Sequence, residues 1–212
     1  MRKLLVIAFA SCSIIDIQPA KAAPKVPDIN SIIKINEMAP DFTATDTQGK
    51  LVKLRDLKAK FVVLEWTNPG CPFVRKHYDT QNMQDLQKKY TDKDVVWISI
   101  ISSAPGKEGY KTAKETNEQI KKDQSQTSHV ILDSDGKIGR SYGAKTTPHM
   151  FVIDKENKIA YMGAIDNKTS ALKDDVKEAN NYVAEALDAL LDSKEVATKV
   201  TDPYGCSVKY AS

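Results

Sequence analysis

Five short apolar runs limit the fold more than any other feature of this chain: "FVVLEW" from Phe61, "VVWISIIS" from Val95, "HVILD" from His129, "HMFVID" from His149 and "KIAYMGA" from Lys158. Each is continuous rather than alternating and rich in β-branched or aromatic residues, the pattern of a strand buried on both faces. Polar segments with helical spacing separate the first three runs, whereas a turn at Lys155–Asn157 joins the last two. Upstream, "APDFTATDTQGKLVKLRDLKAK" alternates and turns at Gln48-Gly49, which predicts a hairpin followed by a short helical turn. The order is β-hairpin, β, α, β, α, β, β, β, α. It predicts an α/β fold whose sheet opens with a parallel crossover and ends on an antiparallel edge. The first helix is expected from Pro72 to about Tyr90, with Val74, Tyr78, Met83, Leu86 and Tyr90 inward. A second falls within "YKTAKETNEQIKKDQ", and a last over 170–193 with Val176, Val183, Leu187 and Leu190 on one side. The tail, "TKVTDPYGCSVKY", reads as irregular and mobile.

The chain starts with "MRK", an apolar "LLVIAFA" and a small-x-small "AKA" at Ala20–Ala22. This is the layout of a cleaved export signal, and the apolar run is too short to span a bilayer. The expectation is a signal over 1–22, an extended arm over 23–36 and one domain over 37–212, in a periplasmic or secreted protein. A lipid anchor on Cys12 is the weaker reading, because "FAS" lacks the aliphatic residue that lipoboxes prefer. Removing Arg2, Lys3, Lys21 and Asp16 lowers the net charge from +3 to +1. No basic block or aromatic–basic interleaving is present, which argues against nucleic acid. Without the signal only Cys71 and Cys206 remain, enough for one disulfide but not for a zinc site. His77, His129 and His149 lack metal-ligand spacing, and no metal, flavin or nucleotide motif appears. "DSDG" starts like a calcium loop, yet Ala144 stands where the bidentate carboxylate belongs, so it reads as a strand-end turn.

Chemistry concentrates at "NPGCPFVRKHY", directly after the first buried run. A strand that runs into a helix puts Cys71 at the helix start, with Pro72 at a favoured first-turn position. Unpaired backbone N–H groups there favour an anion, and the thiolate is the reactive form of cysteine. Arg75, one turn on, is a candidate to stabilise that thiolate. Asn68 is a candidate to donate to the sulfur or a bound oxygen, or alternatively to cap the helix. Core packing is the alternative for Cys71 itself. In "TTPHMFVID", Pro148 stands directly before a buried strand, where a tight bend with a cis Thr147–Pro148 bond exposes backbone for an extended substrate. Trp66 reads as core, and His149 as a surface residue beside the loop.

Together, "EMAPDFTATDTQGKLVKLRDLKAKFVVLEW", Cys71 at the helix start and "TPHMFVID" resemble the thioredoxin superfamily over roughly residues 37–165. Within it the similarity is to the redoxins, the alkyl hydroperoxide reductase and thiol-specific antioxidant group, in their peroxiredoxin-like branch. The resemblance implies a thioredoxin-like fold, a central mixed sheet flanked by helices, and makes Pro148 the cis-proline. Thioredoxins carry Cys-x-x-Cys, where this chain has Cys71 and Val74. Peroxiredoxins carry Thr or Ser three residues before the reactive cysteine, Pro seven before, and an Arg three before the later Phe. Here those positions are Asn68, Leu64 and Pro148.

The expected protein is an exported thiol redox enzyme that reduces peroxides or exchanges disulfides through Cys71. Thr147, Pro148 and Pro72 form the substrate-docking surface. Its electrons come from a thiol protein or small thiol, and a homodimer is compatible with this reading. Three roles stay open for Cys206: resolving an oxidised Cys71, pinning the tail in a structural disulfide, or remaining unpaired. The rivals are a non-catalytic peptide-binding module and a disulfide reductase or isomerase.

Overall fold

A computed structural model describes residues 33–57 and 60–211 of the chain. The export signal, the Cys12 anchor and residues 23–32 of the extended arm lie outside the described residues. Strands β1 (Thr43–Thr45) and β2 (Leu51–Lys53) form the expected antiparallel hairpin. Asp46 closes its turn by accepting the N–H groups of Gln48 at 3.0 Å and Lys50 at 2.9 Å, while Gly49 supplies φ +86°. A single 3-10 turn, Leu54–Leu57, buries Leu54.

The alternating part follows: β3 (Val62–Trp66), α1 (Pro72–Asp79), α2 (Asn82–Thr91), β4 (Val96–Ile101), α3 (Ala113–Lys122), β5 (His129–Leu132) and α4 (Lys137–Ser141). Next come β6 (Thr146–Thr147), β7 (His149–Ile153), β8 (Ile159–Gly163), α5 (Tyr182–Leu191) and β9 (Cys206–Ser207). The central sheet has the order β5-β4-β3-β7-β8. β3, β4 and β5 are parallel, and β7 runs antiparallel to both β3 and β8. Two apolar cores explain the continuous runs. Val63, Trp97, Met150 and Tyr161 face α1, α2 and α5, whereas Val62, Leu64, Ile98 and Phe151 face the hairpin and Tyr142. This is the thioredoxin-like arrangement, with β3 central and its carboxyl end feeding α1. Among the described residues no helix is long and apolar enough to cross a membrane.

Four elements differ from the sequence expectation. The helix from Pro72 is broken at Gln81, which adopts φ +65°, and Thr80 Oγ1 donates to Lys76 O at 2.8 Å. Hydroxyl competition of this kind weakens a helix; the five inward residues stay buried because α2 resumes on the same face. The last helix is only α5, capped by Asn181 through Ala184 N. Residues 173–178 form a 3-10 turn with nothing buried, since Val176 is the sole aliphatic residue among charges. A short α4 follows "DSDG", and Asp133 accepts the N–H groups of Ile138 and Gly139 at its start. The tail is not loose: Met162 N donates to Lys199 O, Ala104 N donates to Lys209 O, and β9 pairs antiparallel with β6.

Candidate active site

The site lies where β3 ends. Cys71 is the N-cap residue of α1, with extended φ −77° and ψ 124°, and Pro72 opens the helix. The preceding turn is built by Asn68. Its Oδ1 accepts Gly70 N at 2.9 Å, and its carbonyl accepts Cys71 N at 3.0 Å. Its Nδ2 donates to Glu108 O at 3.4 Å. Gly109, at φ +82°, presses on the same side chain: a Cβ there would stand 2.3 Å from Asn68 Oδ1. Asn68 thus shapes the loop that carries Cys71 and joins it to the loop of residues 108–109.

Across from α1 stands the cis Thr147–Pro148 bond. Cys71 Sγ lies 3.1 Å from Thr147 O, which accepts from the protonated thiol. Thr147 in turn is the register partner of Cys206 in the β6–β9 ladder. Cys206 is therefore seated on the carbonyl-bearing residue that the Cys71 sulfur touches, and both residues are free thiols. Burial pushes the Cys71 thiol up. The Cys206 thiol, the Thr147 side chain and the N–H groups of Val74 and Cys206 outweigh it, so Cys71 sits below the ordinary thiol range. Cys206 is pushed well above that range, by burial and by the negative charge it would face on Cys71. The two thiols are thus shifted in opposite directions, Cys71 below and Cys206 above the ordinary range.

The other expected residues fall differently. The Arg75 guanidinium pairs with Asp123 at 2.9 Å and with Asp79, rather than with the sulfur. The structure thus corrects the placement of Arg75 as the thiolate's cation, because Asp79, one helical turn on, and Asp123, at the end of α3, already match its charge. Val74, in the second position of a Cys-x-x-Cys motif, is a buried core residue. Trp66 is core, as expected, and donates to Ser102 Oγ at 3.0 Å. His149 is buried against Phe151 instead of lying on the surface, with ring centroids 4.5 Å apart.

Three features of the site were not singled out in the sequence. Glu65, inside the "FVVLEW" run, is fully buried; it accepts from Tyr78 Oη at 2.9 Å, Trp97 Nε1 at 2.8 Å, Ser99 Oγ at 3.1 Å and Gln87 Nε2 at 3.2 Å. Burial nevertheless holds its carboxyl above the usual range. A charged residue within an apolar strand was the available signal. Gly205, at φ +130°, lets the tail touch the cis-proline loop, since a Cβ there would lie 2.1 Å from Thr147 O. The third is Tyr204, whose hydroxyl reaches Lys76, His77 and Asp166.

A family model described as the AhpC/TSA family matches residues 35–162. The thiol-disulfide oxidoreductase ResA of Bacillus thuringiensis is 31% identical over 130 residues, 60% of this chain and 68% of that protein. The peroxiredoxin Bcp of Bacillus subtilis is 24% identical over 174 residues, 77% of this chain and 98% of that protein. Among solved structures, an uncharacterized conserved protein from Geobacillus kaustophilus superposes with a TM-score of 0.72 at 23% identity, covering 85% of this chain and 94% of that one.

Proposed function

The chain belongs to the AhpC/TSA family, and from that premise we propose that it is a thiol-disulfide oxidoreductase with Cys71 as nucleophile and Cys206 as the second thiol. One observation carries this reading: a pair of free thiols, Cys71 buried and Cys206 half-buried, set against the cis-proline loop and shifted in opposite directions. In the oxidising direction the Cys71 thiolate attacks one sulfur of a disulfide. A Cys71 mixed disulfide forms and the other sulfur leaves as a thiolate. Cys206 then loses its proton to the departing thiol and attacks Cys71, expelling the second substrate thiol and leaving a Cys71–Cys206 disulfide. A thiol protein or small thiol reverses these steps to reset the enzyme. The 31% identity to ResA supports this direction of reading. Asn68 and Pro72 set the helix start, and Thr147 and Pro148 present the backbone beside the sulfur. A peptide-binding module has no need of a thiol pair tuned in opposite directions.

Peroxide reduction is the second reading, favoured by the alignment along 98% of a peroxiredoxin. There the Cys71 thiolate attacks one peroxide oxygen, the O–O bond breaks and water or an alcohol leaves; the resulting sulfenic acid is then resolved by Cys206 with loss of a second water. Neither arginine expected of a peroxidase site is available to polarise the peroxide, because Pro148 occupies one position and Arg75 is paired with Asp79 and Asp123. Turnover of a glutathionylated peptide, set beside consumption of hydrogen peroxide, separates the two. Disulfide turnover that disappears in Cys71→Ser, with slow peroxide reaction, is the expected result. Fast peroxide consumption with no disulfide turnover reverses the order. We also propose export, on the signal-like pattern of residues 1–22; a mature protein starting near Ala23 is the expected outcome, which intact-mass measurement of secreted material checks.

A further inference from the structure

Behind the thiol pair lies a buried polar cluster that thiol exchange does not itself require. Lys76 and His77 on α1 are fully buried, and Asp166 is 1% exposed. Lys76 Nζ lies 3.9 Å from Asp166 Oδ1 and donates to Lys168 O at 2.7 Å. His77 Nε2 lies 3.9 Å from Asp166 Oδ2, an atom with no hydrogen-bond partner. The group that joins these three is contributed by the tail. Tyr204 Oη donates to Asp166 Oδ1 at 2.5 Å, accepts from Lys76 Nζ at 3.2 Å, and stands 3.4 Å from His77 Nε2. Its ring packs edge-on to Phe73 at 6.0 Å, with Lys76 Nζ 5.0 Å from its centroid.

Burying charges is costly, and an apolar replacement is often as stable, so the better-attested use of such groups is to fix a register. Here the register that is fixed belongs to Cys206. Tyr204 is two residues before it, a span of about 7 Å at most, and Gly205 between them is pressed against Thr147 O. On the other side Val208 N donates to Lys145 O at 3.0 Å, and Tyr210 Oη donates to Ala144 O at 2.9 Å. Cys206 is strung between two anchors that each begin two residues away, of which Tyr204 is the one bonded to a buried carboxyl.

We propose that Tyr204 is a positioning residue that acts through its hydroxyl bond to Asp166 to set the effective concentration of Cys206 at Cys71. It thereby decides whether a mixed disulfide on Cys71 is resolved within the chain or persists for exchange with another thiol. The inference rests on the reading of Cys71 and Cys206 as an exchanging pair. Oxidised glutathione is the probe. Its disulfide accepts the Cys71 thiolate, giving Cys71–glutathione and one glutathione; Cys206 then displaces the second glutathione, whose sulfur takes the Cys206 proton. Two protein thiols are oxidised as one oxidised glutathione yields two reduced ones.

The full chain is equilibrated with graded reduced and oxidised glutathione, quenched in acid, and its species resolved by mass. The amount of Cys71–Cys206 disulfide relative to glutathionylated Cys71, multiplied by the reduced glutathione concentration, gives the effective concentration of Cys206. Tyr204→Phe keeps the ring and removes the hydroxyl. Loss of one hydrogen bond to a charged group should lower the effective concentration about tenfold, with glutathionylated Cys71 rising to match. Asp166→Asn keeps a neutral acceptor and should fall between wild type and Tyr204→Phe. Alkylation of Cys71 in a Cys206→Ser background should be the same with and without Tyr204→Phe, which a general loosening of the site would not give. An unchanged effective concentration in both variants overturns the positioning role and leaves the thiol pair standing. A wild type that becomes glutathionylated at Cys71 yet never forms the internal disulfide overturns the exchanging pair itself, and the positioning role with it.

Discussion

A cysteine in an apolar core is ordinarily an inert small residue, and Cys71 has the burial of one. What separates it from that class is its place at the start of α1 against the cis-proline loop, with its thiol held below the ordinary range despite burial by the neighbouring Cys206 and Thr147. Cys71→Ser is therefore expected to reduce disulfide turnover to the uncatalysed background. Cys206→Ser is expected to form the mixed disulfide and hold it, so that glutathionylated protein accumulates in an intact-mass assay; prompt release of that adduct would remove Cys206 from the mechanism. Glu65 carries a structural consequence. Truncating it removes the acceptor shared by Tyr78, Trp97, Ser99 and Gln87 and strands the buried donors of Tyr78 and Trp97, since Ser99 and Gln87 keep a second acceptor. Glu65→Ala should cost about 3–5 kcal/mol in urea unfolding, and a loss below about 1 kcal/mol would mean that water replaces the carboxylate. At this scale the sequence was partly legible. Cys71 and Pro148 stand out because chemistry and backbone geometry each demand their residue type. Arg75 misled because its partner Asp123 is 48 residues away, a pairing that helical spacing does not reveal. Asn68 proved to be a loop-builder because its side chain meets the loop of residues 108–109, a tertiary contact.

Among the elements, the two-residue ladder of β6 and β9 matters most to the site. Its backbone pairing lies beside the cis-proline, and the tail strand fills the edge that an extended partner would use. Cys71 is covered by it, so a bulky reagent must wait for the tail to lift. Gly205→Ala puts a Cβ into Thr147 O at a left-handed position. Backbone strain of that kind should raise Cys71 labelling by a bulky maleimide about tenfold, measured by mass against wild type; equal rates would show that the tail does not gate access. The strand was invisible in the sequence because two residues carry no periodicity, and "DPYGCSVKY" looks like a turn-rich end. The break at Gln81 was hidden for the opposite reason: helical spacing continues across it, so α1 and α2 read as one. The N-cap Thr112 and Glu115 of α3 form a capping box, which fits the expected helix in that stretch.

At the scale of the whole molecule the sequence was most informative. Five buried runs, their order and the closing turn were enough for the layered α/β architecture, because strands covered on both faces cannot alternate. The site was only half legible, since it is closed by a segment about 60 residues away along the chain from the loop that it covers (Thr147 against Cys206). Burial also sets the pH response. His77 and His149 are both depressed to about 3, by burial first and then by the charges of Lys76 and Lys145. Unfolded, each titrates near about 6.5. Their contribution to stability is thus complete above about 6.5 and is lost as pH falls toward about 3. Glu65, raised by burial, acts in the opposite sense, its contribution being full at acid pH and lost as pH rises. The thermal midpoint should drop on acidification below about pH 6.5, and His149→Gln should make that drop shallower; superimposable profiles would show that His149 is not buried in its neutral form.

The claim on which the functional account turns is that Cys71 and Cys206 are tuned in opposite directions. Iodoacetamide alkylation of the reduced protein from about pH 4 to 10, read by mass at each cysteine, tests it directly. Cys71 is expected to label with a midpoint below the ordinary thiol value of about 8.5, and Cys206 only well above it. Labelling of Cys206 first, or a Cys71 that stays inert across the range even in Gly205→Ala, would contradict it.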